Sequence, residues 1–210
     1  DQYVADPAFV EVPVKGLLDP EYVTLRAALI GADAGPAPSA GFPAPIQRGQ
    51  DSTIEATGTS HFVVVDAAGN VASMTTTVES LFGSGRAVGG FMLNNQLTDF
   101  SFNPIAADGA MVANAVDGGK RPRSSMAPVI VLDGKGEIVA ALGSPGGSAI
   151  LGYNAKTLVG LLAWELPLQQ AIDLPNLIAR GKDFFGEVNK FPPEVLAGLA
   201  ALGIEVKSGR

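Results

Sequence analysis

The stretch TGTSHFVVVDAAGNVASMTTTVESLF, Thr57 to Phe82, decides the fold. Phe62 to Asp66 is an apolar, β-branched run, and Val71 to Val78 is a second run dense in threonine. Both compositions suit a pleated strand. Between them, Ala67-Ala68-Gly69-Asn70 is turn chemistry, so the stretch reads as a β-hairpin. The pairing predicts Thr59 and Thr77 near one another at one end of it, because cross-strand partners meet.

Working outward, the glycine-rich Gly83–Gly90 lacks the spacing and lysine of a phosphate loop. Phe91 to Asn95 reads as a short strand running into the polar cluster Asn94-Asn95-Gln96 and Asp99. Pro104 to Lys120 reads as loop. Val129–Leu132 and Glu137–Leu142 form a second hairpin about Asp133-Gly134-Lys135-Gly136. Gly143-Ser144-Pro145-Gly146-Gly147-Ser148 then leads into a helix over Ile150–Glu165, and Gln169–Asp173 continues helical. Pro175–Lys190 reads as irregular. Pro192-Pro193 opens a last helix over Glu194–Leu202 that Gly203 closes, and Ile204–Val206 is a candidate final strand. Upstream, Asp19-Pro20 caps a helix over Glu21–Ile30, and Gly31–Gly58 is a pliable loop of glycine, alanine, serine and proline. The pattern is α+β: antiparallel sheet packed against helices.

Composition narrows the function. The 210 residues are 47% hydrophobic, enough for a core, and 14 basic against 21 acidic side chains leave a net charge of −7. That argues against a nucleic-acid or anionic membrane surface. No apolar run approaches the ~20 residues of a membrane span. There is no cysteine, which removes disulfides, thiolate metal sites and a cysteine nucleophile. His61 is the only histidine. It lies within a strand, without neighbours of metal-ligand spacing, and reads as a strand histidine rather than a triad member. No cofactor is implied.

Few nucleophiles then remain. One is a threonine activated by its own amino group. If the chain is cut between Gly58 and Thr59, the new α-amine, with an ordinary pKa of about 7.7–8.0, is a base suited to working pH. Thr77 would orient the hydroxyl. Gly146 and Gly147, bare amides at a helix start, would receive an oxyanion. From the residues alone, Thr75-Thr76-Thr77 reads better as ordinary strand threonine than as catalytic hydroxyls.

Four motifs occur in order: TSHFVVVDAAGNVASMTTTVESLFGSG, LNNQLTDFSF, RPRSSMAPVIV and LGSPGGSAI. Together they resemble the small subunit of γ-glutamyltranspeptidases, and QYVADPAFVEVP resembles the end of that family's large subunit. The resemblance implies an N-terminal-nucleophile hydrolase with an αββα sandwich, present here in part. Residues 1–58 would be the large-subunit tail and linker, and residues 59–210 the catalytic region. It implies self-cleavage before Thr59 and transfer of a γ-glutamyl group, from glutathione or related amides, to water or to an amino-acid or peptide amine. The remainder of the large subunit would be a partner, and the location periplasmic or extracellular. By the same matching Thr77 would hydrogen-bond the nucleophile, and Asp99, with Gln96 nearby, would hold the substrate ammonium. Ser124 and Ser125 would bind its α-carboxylate, and Gly146 and Gly147 would form the oxyanion hole.

Two departures bear on this. Glu79 stands where well-studied members carry asparagine; a carboxylate there suits an ammonium and repels a carboxylate. The family's carboxylate-binding arginine lies upstream of Asp1, and Arg86, Arg121 and Arg123 are poor substitutes for it by motif. A related glutaryl or cephalosporin acylase, and a non-catalytic uncut fragment, therefore stay open.

Overall fold

The computed structural model describes residues 2–51, 53 and 58–209. Two short helices come first, α1 (Val14–Leu17) and α2 (Pro20–Ala27). The Asp19 carboxylate accepts the N–H groups of Glu21 and Tyr22 at 2.9 and 3.1 Å, satisfying donors that a helix start leaves orphaned. The central hairpin follows: β1 (Thr59–Val65) pairs antiparallel with β2 (Val71–Thr77) in one continuous register. The Asp66 carboxylate takes the N–H groups of Ala68 and Asn70 at 2.9 and 2.8 Å, fixing the turn. β1 begins three residues before the apolar run that signals it, so Thr59 stands directly opposite Thr77 in the ladder.

The second hairpin is β3 (Ala87–Val88) with β4 (Phe91–Met92), and the third is β5 (Val129–Leu132) with β6 (Ile138–Leu142). β6 lies against β1 and β2, and the Ser73 hydroxyl donates to the Leu142 carbonyl at 3.3 Å. A single 3-10 turn, Gly147–Ala149, leads from the glycine loop into α3 (Ile150–Leu162), on which α4 (Leu168–Asp173) packs.

The structure corrects the sequence reading in several places. Pro175–Lys190 is not irregular: β7 (Leu177–Arg180) and β8 (Asp183–Gly186) form a hairpin, and the parallel strand β9 (Val206–Ser208) completes a three-stranded sheet. The final strand is thus shifted from Ile204–Val206. The segments are too short to show alternation, and their partner lies beyond α5 (Pro193–Ala201) in the chain. Only Phe91–Met92 of the expected 91–95 strand is paired, against residues read as loop. The helix begun by Asp19 stops at Ala27, and α1 carries no cap signal.

The buried apolar residues include Tyr3, Phe100, Val112, Leu142 and Ile150. By contrast Phe62 and Val64 of β1, Met74 of β2, and Ile130, Leu132, Ile138 and Val139 of the third hairpin are all exposed. The apolar faces of these strands are open to solvent.

Candidate active site

Thr59 Oγ1 donates to Thr77 Oγ1 at 3.3 Å. Thr77 Oγ1 in turn donates to the Gly58 carbonyl at 3.3 Å and accepts the Glu79 N–H at 2.7 Å. One donor and two lone pairs are all a hydroxyl has, so the Thr77 side chain is fully committed. The two 3.3 Å contacts are long for O–H···O, within the loose range of sites without substrate. Gly58 is required by close approach, since any Cβ there would strike the Glu79 carbonyl.

Glu79 is buried with φ at +75°, a conformation that costs a non-glycine residue energy and is retained where the surroundings fix it. Its carboxylate accepts from Asn95 Nδ2. The Asn95 side-chain oxygen takes both the N–H and the hydroxyl of Ser80 at 3.0 Å, closing the bend after β2. Asp99 is buried at the end of a 3-10 turn, Gln96–Asp99, and accepts from Gln96 Nε2.

Thr59, Thr77, Glu79, Gln96, Asp99, Ser124 and Gly147 line one small cavity with Met126 and Ile150. Its volume is about 10 Å³, room for about one water. A second cavity of about 760 Å³ opens beside Thr59, lined by Gly143 to Gly146, Tyr153, Ile178, Phe185 and others. The two expected oxyanion glycines therefore both reach Thr59, Gly147 in the small cavity and Gly146 in the large one. Their N–H groups donate to no acceptor among the described residues. Gly146 has φ at +135°, and a Cβ there would meet the Tyr153 ring. Ser124 Oγ accepts the Met126 N–H at 3.2 Å. Ser125 is buried beside it and lines neither cavity, so of the expected serine pair only Ser124 faces Thr59.

His61 shares the Thr59 face of β1, two residues on. Its Nδ1 pairs with Thr75 Oγ1 at 2.9 Å, its buried Nε2 has no partner among the described residues, and its ring lies on Gly143. Burial holds its pKa below the ordinary value of 6.5. It is a neutral strand histidine that separates the hairpin from the glycine loop.

Sequence reasoning missed the polar framework behind the site. Arg121 and Arg123, weighed only as substrate cations, are both paired. Arg121 grips Asp6 with Nη2 at 2.8 Å and Nε at 3.0 Å, and its own N–H adds a contact at 2.9 Å. These contacts hold the Asp6 carboxyl well below the usual carboxylate range. Arg123 Nη1 meets Asp51 Oδ2 at 2.9 Å. Fully buried Asn114 joins the parts: its Oδ1 accepts the Arg123 N–H at 2.8 Å and its Nδ2 donates to the Asp99 carbonyl at 2.7 Å. Lys120 Nζ donates to the Ala113 and Ala115 carbonyls at 2.8 and 2.7 Å. The only sequence signal was two arginines flanking a proline before the serine pair.

A cephalosporin acylase from Bacillus halodurans shares this fold, superposing over 100% of the chain with a TM-score of 0.80 at 24% identity and covering 35% of that protein; with the γ-glutamyltranspeptidase neighbours below, the fold is that of the N-terminal-nucleophile hydrolases. The family model described as gamma-glutamyltranspeptidase matches residues 1–210, and the chain belongs to that family. A glutathione hydrolase proenzyme from Bacillus subtilis is 36% identical over 96% of the chain and 35% of its own length. A solved γ-glutamyltranspeptidase from Helicobacter pylori aligns with a TM-score of 0.63 at 30% identity, over 73% of this chain and 85% of that one. The chain thus spans about a third of the length of the curated relative it matches.

Proposed function

We propose that this chain carries the self-cleavage site and most of the catalytic region of a γ-glutamyl transferase and hydrolase acting on glutathione and related γ-glutamyl amides. Residues 1–58 would be the end of the upstream piece and its linker, residues 59–210 the catalytic region, and the rest of the upstream piece its partner. The observation that carries this reading is the hydroxyl relay from Thr59 through Thr77 to the Gly58 carbonyl, beside two bare glycine amides.

In the uncut chain the Thr77 hydroxyl polarises the carbonyl that Thr59 must attack. Attack by Thr59 Oγ forms a C–O bond and breaks the Gly58–Thr59 C–N bond, and the hydroxyl proton passes to the departing amine. Water then hydrolyses the ester, leaving a Gly58 carboxylate and a free Thr59. The Thr59 amine next takes the proton from Oγ, which attacks the γ-glutamyl carbonyl. The N–H groups of Gly146 and Gly147 stabilise the oxyanion, the amine leaves with the proton, and water or an acceptor amine releases the acyl group. Asp99, oriented by Gln96, and Glu79 would hold the substrate ammonium, and Ser124, backed by Ser125, the α-carboxylate.

The same geometry weighs against a glutaryl acylase. Two carboxylates, Glu79 and Asp99, line the cavity that holds Thr59, and they suit a substrate with an ammonium beside its carboxylate. A glutaryl group offers only the carboxylate. The family resemblance supports a periplasmic or extracellular location; no described helix is long and apolar enough to cross a membrane. The test compares γ-glutamyl-p-nitroanilide with glutaryl-p-nitroanilide on the full precursor. Faster release from the glutaryl compound would reverse the assignment.

A further inference from the structure

The upstream piece reaches the site through a buried charge pair that the chemistry does not use. The Asp51 and Arg123 side chains are 1% and 4% exposed, and Arg123 Nη1 sits 2.9 Å from Asp51 Oδ2. Asp51 Oδ1 accepts the Thr53 N–H at 2.9 Å, and Asn114 Nδ2 lies 3.4 Å from Asp51 Oδ2. Asn114 also holds the Arg123 backbone and the Asp99 carbonyl. The carboxylate just ahead of the scissile bond is thus fastened to the two loops that line the Thr59 cavity.

We infer that the Asp51–Arg123 pair is a positioning device for self-cleavage, pinning the upstream segment so that the Gly58 carbonyl stays against Thr77 and within reach of Thr59. The inference rests on the self-cleaving reading above. From Asp51 to Gly58 the chain can reach roughly 25 Å when extended. Fastening Asp51 limits how far Gly58 can lie from Arg123 to about that reach, and releasing it removes the limit. Intramolecular attack is sensitive to such losses, since a misplacement of about 1 Å can cost on the order of a hundredfold. Neither residue of the pair lines a cavity beside Thr59, so the pair is not placed to meet a substrate there. Once the bond is cut, Asp51 belongs to the upstream piece and the task is finished.

The experiment follows the full precursor by denaturing gel after purification in the uncut state, and measures γ-glutamyl-p-nitroanilide turnover per cut molecule. Asp51→Asn keeps the shape and removes the charge. It is expected to slow cutting at least about tenfold while leaving turnover per cut molecule within about twofold. Asp51→Leu/Arg123→Leu removes both charges of the pair together; it is expected to cut no faster than Asp51→Asn. Cutting at the wild-type rate in either variant, with an unchanged fold by circular dichroism, overturns the inference. So does a parallel fall of cutting and turnover, which marks a structural role. A wild-type precursor that never cuts overturns the self-cleaving reading as well, so the two failures are separable.

Discussion

Two regions of this molecule are built on opposite terms. Around Asn114, buried polar groups are joined side chain to backbone across long stretches of chain, and Asp6, Asp99, Lys120, Arg123 and Ser125 are all buried there. On β1, β2, β5 and β6 the apolar side chains of a core stand in the open, with Phe62 44% and Val64 53% exposed. The first region is complete within the chain, because its charges would be too costly to bury unpaired. The second leaves its apolar face open. The difference separates two tasks: the framework fixes the loops beside Thr59, while the open sheet is a surface on which further apolar packing would add stability.

The largest expected effect tests the site that both regions support. Thr59→Ala in the precursor should abolish cutting on a denaturing gel and lower nitroaniline release at least roughly 10⁴-fold, the scale seen when a nucleophile is removed. A cut and active Thr59→Ala protein would shift the nucleophile elsewhere. Next, the 210-residue chain alone should show little or no γ-glutamyl transfer and remain one band, because the bare faces of β1 and β5 leave the site unsupported. Two bands with fast, Thr59-dependent release would show that the wired region suffices unaided.

The comparison itself is sharpened by a pair of substitutions in the Thr59→Ala background, followed by urea unfolding. Asn114→Ala removes its bonds to the Arg123 N–H and the Asp99 carbonyl in a buried setting, so a loss of about 3 kcal/mol is expected. Val64→Ser on the open face should cost about 0.5 kcal/mol or less in the chain alone, and clearly more in the precursor, where that face is covered. Equal costs for Val64→Ser in both would mean that nothing packs on β1.

What the sequence made legible follows the same division. The central hairpin was readable because its signals are local: Asp66 and Asn70 at the turn, threonine and valine along the strands. The site residues from Thr59 to Gly147 were readable as a set only through the family resemblance, and their convergence needed the structure. The β7–β8 hairpin was not readable, since its third strand arrives from the far side of α5. Asn114 was invisible for a stronger reason. It lies in a glycine- and alanine-rich loop, and its partners Asp51, Asp99 and Arg123 are 63, 15 and 9 residues away. No local pattern records such a junction. The two arginines just ahead of Ser124 were weighed as cations for a substrate carboxylate and found poor by motif, and nothing local announced the acids that hold them.

The smallest expected effect lies within the open hairpin, at His61. Its Nδ1 is taken by Thr75, its Nε2 is buried without a described partner, and its ring rests on Gly143 ahead of Gly146 and Gly147. Adding a proton would place an unsolvated N–H⁺ there, so burial depresses the folded pKa below the unfolded value of 6.5. The sign follows directly. Above pH 6.5 neither state is charged and the packing contributes in full. As pH falls below 6.5 the unfolded chain takes up the proton first, and stability is lost until the folded pKa is passed. The loss cannot be steeper than about 1.4 kcal/mol per pH unit for one group. Asp51 does not interfere, because its carboxyl is held below 3.8 and its contribution fades only in stronger acid. His61 is the only histidine, so a window from pH 7.5 to 5.5 isolates it. Urea midpoints of the Thr59→Ala chain should fall across that window, and those of the same chain with His61→Gln should fall less. A wild-type midpoint that rises on acidification would mean that the imidazolium finds an acceptor in the folded state, and that the ring is a charged strut rather than a neutral spacer.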